Sequence, residues 1–307
     1  SQYVKDCPTS ADALYQVAIT ACEAIMNSGV YALHTTGTPN ANGRGVYRDL
    51  FTSEETTGNK EVMLSYEITA PSKGEANWWL NSSSYGPHLC MSRIFSHTFL
   101  NTDGSFFNEK NADGTYKTFV EECEGRDWRM AQIIRGPKYT WKINEEFTRE
   151  SANFKDHTYT GYQLTKYVYD DKNMDDKSSG TYDDPLLRYA EILLIYAEAK
   201  ARIDGGTTTD AEAVKCFNAI QKRAGLAAGN SSVSVDGVFE EITRELYWEG
   251  LRRTTLIRFN KYVEGNYVWP FKGGAESGQA LADHMKLFPI PDEDLVANEN
   301  LTQNVGY

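Results

Sequence analysis

The stretch Asp184-Pro-Leu-Leu-Arg-Tyr-Ala-Glu-Ile-Leu-Leu-Ile-Tyr-Ala-Glu-Ala-Lys-Ala-Arg-Ile-Asp204-Gly-Gly decides how the chain is read. Asp184 suits an N-cap, Pro185 stands where a first helical residue needs no N–H, and Gly205-Gly206 supplies a stop. The spacing therefore predicts a helix over Pro185 to Arg202. Leu186, Ala190, Leu193, Leu194, Ala197 and Ala201 recur at three- and four-residue steps, while Glu191, Glu198 and Lys200 fall off that stripe. Thr209-Asp210 can cap a second helix, Ala211 to Arg223, with Ala213, Val214, Phe217 and Ile220 on its apolar side. Two helices joined by a short Gly-Thr loop predict an antiparallel hairpin. The alanines of the first let a partner approach closely, as in tetratricopeptide-like units.

A chain of 307 residues can bury a large core, and it is read here as one domain, 1–307. The net charge of −12 and pI near 5.0 argue against nucleic acid, whose phosphates need clustered Lys and Arg. No run of eighteen apolar residues could form a membrane helix, and no secretion signal stands at Ser1. Cys7, Cys22, Cys90, Cys123 and Cys216 contain no CxxC pair, so they read as ordinary thiols. Cys7 and Cys22 enclose the one short loop a disulfide could close.

Along the chain, Ser10 caps a predicted helix from Ala11 to Asn27, with Leu14, Val17, Ala18, Ala21 and Ile25 on one face and Gly29 as terminator. Val62, Leu64, Tyr66 and Ile68 alternate as one side of a strand. Between Pro71 and Asp127 the periodicity dissolves into loop, with Asn111-Ala-Asp-Gly-Thr115 as a tight turn. Gly161 to Tyr169 alternates like a strand, and Asp170 to Asp184 is an acidic loop. Helix returns from Val238 to about Asn260, and a short helical turn is expected from Asp292.

Catalytic chemistry finds little support. Glu191 and Glu198 lie about 10.5 Å apart along a helix axis, on a packing helix rather than across a cleft, and they read as partners for Arg188, Arg244 or backbone N–H groups. No Gly-x-Ser-x-Gly, His-Glu-x-x-His or P-loop motif occurs, so neither an enzyme nor a cofactor or resident metal is expected. Asp171-x-Asn173-x-Asp175 begins like a calcium loop, but Asp176 stands where Gly is required and Tyr182 where Glu is required. An irregular Ca²⁺ site is the alternative to a solvated acidic loop.

The stretch Asn77-Trp78-Trp79-Leu-Asn81-Ser-Ser-Ser-Tyr85 is a better candidate for function. A sugar ring presents a C–H face and a hydroxyl rim, which suit flat aromatic platforms edged by amides. Stacking that covers roughly 100 Å² of apolar surface is worth about 2.5 kcal/mol before losses. Trp78, Trp79 and Tyr85, with Asn77 and Asn81, form the expected ligand contacts, one tryptophan buried as an anchor and the other exposed.

Four segments, in order, resemble the SusD/RagB family of surface glycan-binding lipoproteins of Bacteroidetes. They are Leu187 to Ala199, Arg244-Glu-Leu-Tyr-Trp-Glu-Gly-Leu-Arg252, Phe288-Pro-Ile-Pro291 and Asn298-Glu-Asn-Leu-Thr-Gln-Asn-Val-Gly-Tyr307. Asp127-Trp-Arg129 and the passage from Ala11 to Phe51 add weaker likeness. Thr254-Thr255-Leu256 departs from the family's Phe-Asp-Leu-like triplet.

The resemblance implies a mainly α, SusD-like α/α superhelix of tetratricopeptide-like hairpins, with long loops and a few short β-strands. It makes this chain a C-terminal portion, the N-terminal helical repeats and the lipid anchor lying outside it. The implied function is non-catalytic capture of an oligosaccharide or polysaccharide at the outer-membrane surface, for a SusC-like TonB-dependent transporter. By position, Tyr47 and Arg48 join the expected ligand contacts. A RagB-like peptide-binding lid, a glycoside hydrolase and a purely structural scaffold are the alternatives.

Overall fold

A computed structural model describes residues 9–36, 45–51, 58–67, 90–137, 139–141, 145–147, 160–167, 183–263, 265 and 267–307, with backbone alone for 139–141 and 145–147. The chain divides into two compact units, 1–245 and 246–307. The predicted helix over Val238 to Asn260 is interrupted. Trp248 (φ 66°) and Gly250 (φ 78°) adopt left-handed backbone, which a right-handed helix cannot carry.

In the first unit, α1 is Ala11–Asn27 and α2 Val46–Asp49, followed by strand β1, Val62–Tyr66. Short helices α3 (Arg93–Ser96), α4 (Phe119–Cys123) and α5 (Trp128–Ile133) come next, then an antiparallel pair, β2 (Tyr139–Trp141) and β3 (Glu145–Phe147). Strand β4, Asp184–Arg188, pairs with β1 and leads into α6, Tyr189–Ile203. After it come β5 (Thr207–Thr208), α7 (Ala211–Arg223), β6 (Val233–Ser234) and α8 (Val235–Glu245).

The helical hairpin is present, and α6 is its hub, packed against α1, α7 and α8. Ala190, Ala197 and Ala201 are fully buried on it, so the small side chains set how closely the neighbours approach. Ala197→Leu should therefore overpack the hub and destabilise this unit by about 1 to 3 kcal/mol. A thermal melt matching the unaltered protein would refute that packing.

The start of the decisive stretch differs from expectation. Asp184 to Arg188 is a strand, with Pro185 opposite Ser65 and Asp184 opposite Tyr66, a position that a two-stranded sheet leaves open to proline. The helix begins only at Tyr189, whose N–H donates to the Glu61 carbonyl at 2.8 Å. A tertiary acceptor takes the place of the expected Asp184 cap.

Helix α1 has its predicted bounds and its Ser10 cap, which accepts from the Ala13 N–H at 3.2 Å. Its buried side is Ile19 and Cys22, while Leu14 and Val17 face solvent. The burial of β1 is also reversed, since Leu64 and Tyr66 are exposed. Gly161 to Tyr169 is no strand over its described part: Gln163 and Leu164 make isolated bridges to Cys90 and Ile134, and Tyr167 turns at φ 65°. Side chains from Tyr162 to Lys166 are buried on both sides of the backbone, so their alternation did not mark a half-buried strand.

In the second unit, α9 spans Arg252–Arg258 and α10 Asp292–Ala297, the latter beginning where the sequence places it. The two terminal sequence motifs bind each other. Prolines at 289 and 291 remove backbone donors from the extended Phe288–Pro291 segment, and side-chain amides replace the missing ladder. Gln303 accepts from the Ile290 N–H at 2.9 Å and donates back to its carbonyl at 2.8 Å. Asn304 donates to the Phe288 carbonyl at 2.8 Å, and the Tyr307 hydroxyl to that of Leu287 at 2.8 Å. Arg253 lies over the Phe288 ring at 4.1 Å and donates to the Met285 and Lys286 carbonyls.

Candidate functional site

The Asn77, Trp78, Trp79, Asn81 and Tyr85 stretch lies outside the described residues; its roots do not. On one side the chain leaves β1, paired to β4. On the other it returns at Cys90, bridged to Gln163, with the Met91 N–H donating to the Tyr162 carbonyl at 2.9 Å and the Thr160 hydroxyl to the Met91 carbonyl at 2.6 Å. Beside the first root, Leu64, Tyr66 and Leu186 are all more than half exposed. The described backbone on either side of residues 68–89 is therefore held by pairing, and an exposed aromatic ring, Tyr66, stands on the first side.

The first root is held by a buried ionic network. Glu61, just before β1, accepts from Arg188 at 2.6 Å, from Arg223 at 2.5 Å and from the His34 N–H at 2.7 Å. Glu245 takes Arg129 at 2.9 Å and Arg188 at 3.0 Å, and also pairs with Arg223. Glu241 pairs with Arg129 at 2.7 Å and with Arg244 at 2.9 Å, while Asp127 takes Arg129 at 2.6 Å. Four carboxylates thus meet four guanidiniums drawn from β4, α5, α7, α8 and the segment before β1. Removing such charges from water is costly and is offset only when each finds partners.

Burial alone would raise the Glu241 carboxyl, but Arg129 and then Arg244 outweigh it and hold it at about 2. For Glu245 burial is likewise outweighed, here by Arg223, Arg188 and Arg129, and its carboxyl lies well below the usual range. Both folded values lie below the unfolded one of about 4.5, so the stabilisation is complete above that pH and is lost progressively as pH falls from there through the folded values. Stability of this unit should decline steadily below about pH 4.5, read by urea denaturation at stepped pH. A flat profile down to pH 2.5 would contradict the assignment.

Tyr47 and Arg48, expected among the ligand contacts, are instead interior, at 1% and 2% exposure. The Tyr47 hydroxyl donates to the Glu245 carbonyl at 2.6 Å and accepts from the Lys166 ammonium at 3.0 Å. Its ring meets Phe51 edge-on at 5.2 Å, and Phe51 meets Tyr167 at 5.0 Å. The Arg48 N–H donates to the Gln132 side chain at 3.0 Å. The four-residue α2 turns these side chains inward with Val46, Leu50 and Phe51, so they support the network and cannot stack on an external ligand.

Glu198 is buried and paired with Arg202 at 2.8 Å, the structural role expected of it, though with a different arginine. Cys22, Cys90, Cys123 and Cys216 are free, and Cys7, considered as a disulfide partner for Cys22, lies outside the described residues. Burial pushes the Cys22 thiol up to about 11 and the Cys216 thiol up to about 12, so neither is a nucleophile at neutral pH. Among the described residues no three His, Cys, Asp or Glu side chains could together hold a metal ion. The acidic loop of Asp171, Asn173 and Asp175 lies outside them. No helix among them is long and apolar enough to cross a membrane.

Residues 49–307 match the sequence profile described as the SusD family. The chain belongs to the SusD family. The starch-binding protein SusD of Bacteroides thetaiotaomicron is 38% identical over 133 residues, which is 42% of this chain and 23% of SusD. A SusD-like protein, P2, of Formosa agariphila is 25% identical over 281 residues, covering 85% of this chain and 51% of the relative. The chain thus spans about half, or less, of the curated relatives it matches. Among solved structures, a SusD-like protein of Bacteroides fragilis superposes with a TM-score of 0.70 at 21% identity, covering 95% of this chain and 62% of that one. The surface glycan-binding protein A of B. thetaiotaomicron, solved with laminarihexaose, gives 0.59 at 22% identity, over 95% of this chain and 60% of the other. At these identities the structures establish the SusD-like fold, and the profile establishes the family.

The sequence reading missed the ionic network. A signal for it exists: Glu241 and Glu245 fall three and seven residues after Val238, on the side of α8 that Ile242 continues, and charges bordering an apolar stripe must find buried partners.

Proposed function

We propose that this SusD-family chain captures a neutral oligosaccharide or polysaccharide at the cell surface without cleaving it, and hands it to a SusC-like TonB-dependent transporter in the outer membrane. The family match over residues 49–307 carries this reading. Support comes from two relatives, one named for starch binding and one solved with laminarihexaose. In the full-length protein a lipid anchor would supply the membrane attachment. The chemistry of the reading is passive: aromatic rings offer stacking area, amides and guanidiniums take hydroxyls, and no activated water or nucleophile is required.

A glycan array beside a peptide library tests the ligand class, with soluble starch and laminarihexaose as the first titrants. Binding to a glycan without release of reducing ends is the expected result. Selective peptide binding would establish the RagB-like alternative, and steady release of reducing ends the hydrolase. Co-purification of the full-length protein with its transporter from outer membranes tests the partner.

A further inference from the structure

Between α3 and α4 the chain repeats itself. Asn101-Thr-Asp-Gly-Ser-Phe106 and Asn111-Ala-Asp-Gly-Thr-Tyr116 share the pattern Asn-x-Asp-Gly-hydroxyl-aromatic, and the structure gives the two copies the same bonds. In each, the Asn N–H donates to the carbonyl of the hydroxyl residue, at 2.9 Å in both, and the Gly N–H donates back to the Asn carbonyl, at 2.8 and 3.0 Å. The hydroxyl donates to the Asp carboxylate at 2.6 Å in each. Gly104 and Gly114 turn at φ 85° and 84°, a conformation that costs glycine least. Two copies of one rigid loop therefore present an aromatic ring at the same position.

Both rings face water, Phe106 at 82% exposure and Tyr116 at 60%. A single exposed aromatic is ordinary on a protein surface, but two set out by a repeated, internally bonded loop form a pattern. The polar rim is also fixed. Arg93 is held by the buried Glu122 at 2.7 Å and by Glu109 at 3.5 Å, with its side chain still 42% exposed. Its guanidinium lies 5.8 Å from the Tyr116 ring centre, and the Lys110 ammonium 5.0 Å. Exposed flat rings, one of them beside a held guanidinium, match a ligand with C–H faces and hydroxyl edges.

From this we infer that the tandem loops form a saccharide-contacting surface, Phe106 and Tyr116 as stacking rings and Arg93 as a hydroxyl-binding rim group, additional to the Trp78-Trp79 stretch. The inference rests on the glycan reading above and deepens it. A polymer engaged at two places gains avidity that neither place supplies alone.

The test uses affinity electrophoresis in soluble starch and in laminarin, and titration with laminarihexaose, on the unaltered chain and on Phe106→Ala, Tyr116→Ala and the double variant. The glycan array selects the polymer if neither of these is retained. The double variant should lose roughly tenfold in affinity for the retained polysaccharide while its thermal melt stays unchanged, because both rings are exposed in the free protein. The single Phe106→Ala variant, which removes the more exposed ring, keeps the question answerable if the double variant folds poorly; it should lose at least roughly threefold. Undiminished binding by the folded variants would overturn this inference alone. Failure of the unaltered chain to bind any glycan on the array would overturn the glycan reading, and this one with it.

Discussion

Replacing Glu245 by Ala is expected to destabilise the 1–245 unit by about 3 to 5 kcal/mol, enough to leave much of it unfolded at 37 °C. Its carboxylate is fully buried and is shared by Arg129, Arg188 and Arg223. Without it, Arg129 keeps Asp127 and Glu241 while Arg188 and Arg223 keep Glu61, and buried guanidiniums that lose a shared carboxylate bear an uncompensated desolvation cost. The effect also spreads, because Arg188 stands at the start of α6 and Arg223 at the end of α7, so the hairpin loses an anchor at both of those positions. Glu245→Gln keeps the shape and one acceptor and should fall between the two. Urea denaturation followed by circular dichroism measures all three. A loss under about 1 kcal/mol for the alanine variant would mean that packing alone holds these elements together.

The second large effect is on binding. Trp78→Ala with Trp79→Ala should weaken glycan affinity by about 1.5 to 3 kcal/mol for the ring that stacks, roughly ten- to a hundredfold. The argument rests on composition: adjacent indoles among Asn and Ser side chains, rooted between β1 and Cys90. The single variants divide the roles, one lowering affinity with little change in melting, the other lowering the melt. Calorimetric titration of the three proteins decides it. If the folded double variant keeps full affinity, this stretch is outside the site, and the exposed Tyr66, Phe106 and Tyr116 become the leading contacts.

The helices were legible because their signals are local. The Ser10 cap and the bounds of α1, the Ala face of α6, the Asp210 cap of α7 and the start of α10 at Asp292 each depend on residues within a turn or two of one another. The family motifs were equally legible as strings, without showing why those residues are needed. Gln303 and Asn304 supply hydrogen bonds that the prolines of the Phe288–Pro291 segment cannot, and Glu245 answers arginines that lie 22, 57 and 116 positions away.

The errors have one cause. Asp184-Pro185 reads as a helix start because composition cannot show that β1 waits beside it. Family position places Tyr47 among the ligand contacts, and nothing near it in sequence reveals Lys166 or the Glu245 carbonyl. Leu64 and Tyr66 alternate correctly, but alternation states only that a strand has two faces. By itself the sequence determined the helical class, the caps and the family, since backbone propensity and capping act over a few residues. The tertiary structure decided which charges are buried and which rings face water, because desolvation depends on what the distant chain brings alongside.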